Sequence, residues 1–232
     1  MSDVLVLVPC PKLIYSSWWK QVMTWVSESN NRVAIFPETT PNRMDFSISA
    51  MISEAKNRNP DVAIRLDADV EPQTPLDEML RIAKENEKAG FAITGSPSLN
   101  ERGIIQAALL EDTPLDAAVE PRPYECKWVS GSLNVIPRRV FRAMIPVKRI
   151  PIGAFNSDAS FDMYIQVQTV DSTEDVDFCM RVRELGFRIC ADPRIMVLQN
   201  RPQTGIPSVR VPMTWGGKVE INLVENPMRA PL

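Results

Sequence analysis

The chain has 232 residues, of which 44% are hydrophobic and 24% are charged, a balance typical of an ordinary globular domain. Its 26 basic and 29 acidic residues give a net charge of -3, which argues against a nucleic-acid partner because such binders usually carry a basic excess. Histidine is absent. This excludes serine-histidine and cysteine-histidine catalysis, and it leaves acid–base chemistry mainly to carboxylates.

Strand-like and helix-like patterns alternate along the first 94 residues. The apolar run at 4–8 ends at Pro9 and predicts a strand that is buried on both faces. Because strand and helix continue to alternate, we predict an α/β fold with a mostly parallel central sheet flanked by helices. The predicted strands are 4–8, 33–36, 62–66 and 91–94, and the predicted helices are 16–29, 48–55 and 76–88.

The pattern is less regular after residue 95. Several prolines in residues 96–127 predict a long, partly extended excursion. We expect residues 1–200 to form one domain and the proline- and glycine-rich residues 201–232 to form a tail. The tail is expected to fold over the site as a lid or to make a homo-oligomer contact. The later predicted elements are a strand-to-turn segment at 128–132, helices at 138–143 and 174–185, and a strand at 188–191.

The cysteines and the first residues bear on the compartment. The four cysteines form no CxxC pair, and we expect them to be reduced thiols in the core. The start Met1-Ser2-Asp3 lacks the basic region of a signal peptide, and no apolar run approaches the roughly 20 residues that span a bilayer. We therefore expect a cytoplasmic protein without a transmembrane segment. The cysteines are Cys10, Cys126, Cys179 and Cys190.

No glycine precedes Gly90. A phosphate-binding P-loop and a dinucleotide-binding GxGxxG both need glycines in the first strand-to-helix turns. The sequence therefore excludes both motifs, and a nucleotide would have to be bound in another way.

Two carboxylates follow the apolar strand at 62–66, in Asp67-Ala68-Asp69. Residues i and i+2 of an extended segment project to the same side, at the carboxyl end of a strand where open α/β sheets bind ligands. Two close anions repel unless a cation lies between them, and oxygen ligands suit Mg²⁺ or Mn²⁺. The alternative is a solvated acidic turn that caps the next helix.

A second acidic group opens the predicted helix at 174–185. Ser172 and Asp175 fit a capping box, which is a purely structural role. The N-terminus of a helix also favours an ionised carboxylate, as a general base requires. Both interpretations of Asp175 stay open at this point.

Taken together, these segments form an ordered series that resembles the family 2-type GT-A glycosyltransferases. The series runs from Leu66-Asp67-Ala68-Asp69 through Val129-Ser130-Gly131 and the basic Arg138-Arg139 to Thr173-Glu174-Asp175, and it ends after Gly186 in a strand and Asp192-Pro193. It covers about residues 4–198. The resemblance implies a GT-A fold and a Mn²⁺ or Mg²⁺ cofactor.

The resemblance also implies roles for individual residues. Asp69 would ligate the metal, and Asp67 would contact the donor ribose or the metal. Many relatives carry a histidine after the last strand, where this chain has Gln199, whose amide oxygen can also ligate a hard cation. Asp175, with Glu174 beside it, would take the acceptor proton. The remaining donor-binding residues would be Pro9, Glu38, Arg43, Ala68 and Gly131.

The activity that follows from the resemblance is transfer of a hexose from a UDP- or GDP-sugar to an unidentified acceptor hydroxyl. Asp175 as a base on the opposite face from the leaving diphosphate would give inversion. The alternatives are a metal-dependent phosphodiesterase or nucleotidyltransferase, and a catalytically inactive module that binds sugar nucleotides.

Overall fold

A computed structural model describes residues 1–9, 16–38, 44–97, 107–110, 120–151, 160–165, 173–200, 209–212 and 222–223. Within these ranges the helices are α1 (Ser16–Ser27), α2 (Met44–Arg58), α3 (Leu76–Lys88), α4 (Arg138–Ala143) and α5 (Glu174–Glu184). The strands are β1 (Asp3–Pro9), β2 (Arg32–Glu38), β3 (Val62–Leu66), β4 (Val70–Pro72), β5 (Phe91–Gly95), β6 (Ala107–Leu109), β7 (Tyr124–Val129), β8 (Leu133–Pro137), β9 (Lys148–Pro151), β10 (Ser160–Met163), β11 (Arg188–Ala191), β12 (Val197–Asn200), β13 (Val209–Pro212) and β14 (Asn222–Leu223).

The main sheet confirms the predicted α/β class, but it is mixed where the sequence predicts mostly parallel pairing. Its eight strands lie in the order β2-β1-β3-β8-β5-β11-β7-β6. The pairs β1·β2, β1·β3 and β5·β11 are parallel, whereas β3·β8, β5·β8, β7·β11 and β6·β7 are antiparallel. Parallel neighbours need a long crossover. No helix lies between β5 and β8 in the described residues, and the strands of this stretch pair antiparallel.

Helices cover both faces of the sheet, and β1 shows why its sequence is a continuous apolar run. On one face its Val4, Val6 and Val8 pack with α1 and α3. On the other face its Leu5 and Leu7 pack with α2 and α5. All five side chains are almost fully buried, which confirms the prediction of a strand covered on both sides.

Two tryptophans of α1 fix the chain that follows β3. The indole of Trp18 donates to the carbonyl of Val70 at 2.6 Å, and that of Trp25 donates to the carbonyl of Thr74 at 2.9 Å. Both indoles lie in the core, where an aromatic ring with a polar group needs such a partner. The acidic turn before Val70 is thereby held against a rigid helix.

A smaller sheet has the order β14-β13-β12-β4. It brings β12 alongside β4, so Gln199 pairs in register with Val70. The predicted irregular tail contributes two short strands to this sheet, β13 and β14. The rest of the tail, residues 201–208, 213–221 and 224–232, lies outside the described residues, so the lid remains a prediction.

The cysteine prediction is confirmed for the three cysteines that the structure describes. Each is buried with a free thiol, and burial raises the pKa of each thiol, so all three are protonated core groups. Across the described ranges, no helix combines the length and apolar character needed to cross a membrane.

Candidate functional site

The predicted site residues that the structure describes lie near the carboxyl ends of β1, β2 and β3. Pro9 and Glu38, the last residues of β1 and β2, are paired in register. Asp67 follows directly after β3, and its backbone N–H donates to the carbonyl of Ser132 at 3.1 Å. Parallel strands end at the same edge of a sheet, so these residues form one rim.

The DxD segment is a turn rather than the extended stretch that the sequence suggests. The N–H of Val70 donates to the carbonyl of Asp67 at 3.0 Å, which closes a four-residue turn. Ala68 packs against the hydrophobic core on the α1 side. The small apolar side chain between the two carboxylates therefore anchors the turn.

Arg65 lies at the centre of the site. Its side chain is 3% exposed although it belongs to an otherwise apolar strand. Its Nη1 forms an ion pair with Oδ1 of Asp175, and its Nη2 lies 3.4 Å from Oδ1 of Asp67. Burial lowers the pKa of Arg65, but the charges of Asp175 and Asp67 outweigh it and hold the pKa above its ordinary value. Arg65 is therefore a permanent buried cation that links the two acidic segments.

Asp175 faces the sheet and is not used to cap its own helix. Its second oxygen, Oδ2, accepts from the N–H of Gly131 at 2.8 Å. The cap of α5 is Thr173, whose hydroxyl accepts from the N–H of Val176 at 3.4 Å. Thr173 therefore takes the cap, and Arg65 and Gly131 hold both oxygens of Asp175, so the structure does not support the capping interpretation of Asp175. Ser172 lies outside the described residues.

Gly131 is at this position for steric reasons. A methyl group added to its Cα would overlap the guanidinium of Arg65. The flanking Ser130 and Ser132 are buried, and their hydroxyl oxygens are 2.9 Å apart. The amide of Asn134 donates to the carbonyl of Ser130 at 3.0 Å. These hydrogen bonds hold residues 130–132, just before β8, in one conformation against the guanidinium of Arg65.

The electrostatics of the site centre on Asp67. The pKa of Asp67 is raised to about 7, chiefly by burial; the charge of Arg65 lowers it, and the charges of Asp175, Asp69 and Glu174 add to the increase. The side chain of Asp67 is 27% exposed, so it can be reached from solvent. Glu174, the first residue of α5, acts on Asp67 and Arg65 through its charge. The site thus concentrates negative charge around one cation.

The donor groups fit a hard cation only in part. Among the described residues no cluster of three or more histidine, cysteine, aspartate or glutamate side chains is arranged to hold a metal. Asp67 and Asp69 supply two carboxylates of the kind that Mg²⁺ and Mn²⁺ prefer, and these ions commonly complete their shells with substrate phosphates and water. The backbone of Gln199 pairs with that of Val70, the residue after Asp69. The side chain of Gln199 is not among the described parts of the structure.

The structure brings five of the ten residues expected from the sequence together, in two groups. Asp67, Gly131 and Asp175 meet at Arg65, and Pro9 and Glu38 adjoin each other. Arg43 lies outside the described residues. Sequence reasoning missed Arg65 itself. The sequence feature that could have revealed it is a charged residue inside an apolar strand, because a buried charge needs an oppositely charged or hydrogen-bonding partner.

Comparisons with known proteins give a fold likeness alone. No protein-family model matches the sequence, and no curated protein sequence matches it either. Among solved structures, the chain is similar to A197 from STIV, with a TM-score of 0.60 and 13% sequence identity. The alignment covers 99% of this chain and 98% of that one. The two proteins therefore share an overall fold over their full lengths.

Proposed function

We propose that this protein is a GT-A glycosyltransferase that transfers a hexose from a UDP- or GDP-sugar to an acceptor hydroxyl. One observation carries the proposal. Asp67 and Asp175, which the family resemblance makes the donor-side and acceptor-side carboxylates, converge on Arg65 although Arg65 and Asp175 are 110 residues apart in sequence. A merely solvated acidic turn and a helix cap have no reason to meet in this way.

Different residues of the rim would bind different parts of the donor and the acceptor. Pro9 and Glu38 would line the nucleoside side of the donor site, and Asp67 and Asp69 would face its diphosphate. A bound Mn²⁺ or Mg²⁺ held by these two aspartates would supply positive charge for the leaving diphosphate. Asp175 would accept the proton of the attacking hydroxyl. Each of its oxygens accepts one bond here and has a second lone pair available.

The arrangement also supports the assignment of Asp175 over Glu174. Asp175 is held by an arginine and a backbone N–H, so its carboxylate has one defined orientation. A general base must be placed within hydrogen-bond reach of the proton it removes. Glu174 acts on the site through its charge, which raises the pKa of Asp67. This supports an electrostatic role for Glu174.

Nucleotide binding tests the donor side of this proposal. UDP and GDP are added to the protein with Mn²⁺ or with EDTA, and the melting temperature is measured. We expect stabilisation only when Mn²⁺ is present, by about 2.7 kcal/mol at a hundred times the dissociation constant. Asp69→Asn should abolish the effect without lowering the melting temperature of the ligand-free protein.

The matched control is Asp61→Asn, the same substitution just before the opposite end of β3. Asp61 pairs with Arg138 and is outside the rim, so this variant should keep the nucleotide effect. Equal stabilisation with Mn²⁺ and with EDTA would contradict the proposal. Metal-dependent cleavage of a phosphodiester such as bis-p-nitrophenyl phosphate, without nucleotide binding, would favour a phosphodiesterase.

A further inference from the structure

The two ion pairs of Arg65 are unequal, and the inequality suggests what the arginine does. Asp175 accepts from Nη1 of Arg65 through Oδ1 and from the N–H of Gly131 through Oδ2 at 2.8 Å, whereas the contact of Arg65 with Asp67 is 3.4 Å long. Charge-assisted N–H···O bonds are ordinarily about 2.7–2.9 Å long. Asp175 is thus firmly held and Asp67 is loosely held. No other hydrogen bond to the Asp67 carboxylate is present among the described residues.

The guanidinium has little freedom to leave this position. It is buried, and the backbone of Gly131 packs so closely that a methyl group there would overlap it. Its Nε has no hydrogen-bond partner among the described residues. A buried cation with an unsatisfied donor is costly unless its charge is compensated. The two carboxylates supply that compensation.

We propose that Arg65 is the resident countercharge of the site, holding Asp175 in place permanently and occupying Asp67 until a divalent cation arrives. This role rests on the proposed function, because it is the diphosphate-bound cation that would displace Arg65 from Asp67. Arg65 itself is a positioning residue, since it touches the two carboxylates rather than the substrate. Arg65 then offsets part of the negative charge of the site before the donor binds.

Competition for Asp67 has a consequence that sets this role apart from plain structural support. Arg65 and the cation act on the same carboxylate with the same sign of charge, so Arg65 weakens the binding of metal alone. Removing its charge should strengthen Mn²⁺ binding roughly tenfold or more, as expected for a unit charge a few ångströms away. The same change should slow the chemistry, because Asp175 loses its orientation.

The test compares Arg65→Gln with Arg138→Gln, which removes the same charge from an ion pair outside the rim. Binding of Mn²⁺ alone is measured by electron paramagnetic resonance, and hydrolysis of a panel of UDP- and GDP-sugars is measured by nucleotide release. We expect Arg65→Gln to bind Mn²⁺ about tenfold or more tightly and to hydrolyse the sugar nucleotide about a hundredfold more slowly. Arg138→Gln should stay within about threefold of the wild type for both readouts.

Arg65→Met also removes the charge, so we expect the same tighter Mn²⁺ binding and slower hydrolysis. This variant replaces Arg65→Gln in the test if Arg65→Gln does not fold. Arg65→Lys keeps the charge but loses the planar fork, so it should restore wild-type Mn²⁺ affinity while hydrolysis stays slow. The proposal is overturned if the uncharged variants bind Mn²⁺ no more tightly than Arg138→Gln, or if affinity and rate fall together. Should the wild type hydrolyse no sugar nucleotide, the proposed function fails, while the Mn²⁺ measurement still decides the role of Arg65.

Discussion

Substitution of Asp175 by asparagine should destabilise the protein through Arg65 rather than through helix α5. The cap of α5 belongs to Thr173, so the helix keeps its first turn. An asparagine can still accept the N–H of Gly131, but Arg65 loses its closest counter-ion in a buried position. Removing one partner of a buried ion pair typically costs about 3–5 kcal/mol. We expect about 3 kcal/mol, since Asp67 remains near the guanidinium.

The matched control is Asp177→Asn, in the same helical turn. Its side chain is 17% exposed, similar to 18% for Asp175, but it pairs with Arg181 at 3.3 Å along the helix surface. We expect this variant to lose less than about 1 kcal/mol. Urea unfolding, followed by the fluorescence of the buried tryptophans, measures both values. Equal losses in the two variants would refute the argument that Asp175 is coupled to a buried cation.

Three further outcomes follow from single residues. Gly95→Ala should destabilise the fold by about 1–3 kcal/mol in urea unfolding, because a methyl group would lie 2.7 Å from Val129. Since the pKa of Asp67 is raised to about 7, its contribution to stability is present below about pH 4 and is lost as the pH rises to about 7. Asp67→Asn should remove this slope from a pH series of urea midpoints. In a Cys10→Ser variant, a thiol reagent should modify no cysteine until the chain unfolds, because the remaining thiols, Cys126, Cys179 and Cys190, are buried.

The fold was predictable where one local pattern dominates. The run at 4–8 is buried on both faces, and apolar spacing located α1, α3 and α5 to within two residues at each end. The direction of β7 and β8 was not predictable, because their pairing is set by which strands lie beside them and not by their own residues. Hydrophobic periodicity carries no information about the partner strand.

The sequence predicted which carboxylates belong to the candidate site, but not which residues they contact. Asp67 and Asp175 stood out as carboxylates at the ends of elements, and the structure joins them. The role of Arg65 depends on contacts across 110 residues, which no local pattern reveals. The cap could not be assigned from the sequence for a related reason, since Ser172 and Thr173 are both good cap residues by type. Only the contact of Asp175 with Gly131 and Arg65 separates the alternatives.

Nucleotide release from a panel of UDP- and GDP-sugars, measured with Mn²⁺ and with EDTA, tests the central claim most directly. We expect slow hydrolysis of at least one sugar nucleotide, and we expect this hydrolysis to require Mn²⁺. Asp175→Asn should reduce the rate by about a hundredfold to ten-thousandfold, the usual worth of general-base catalysis, while nucleotide affinity stays within a few-fold. No release from any member of the panel, by a protein that binds the nucleotide, would contradict the transferase and leave an inactive binding module. A wild-type rate in Asp175→Asn would contradict its role as the base.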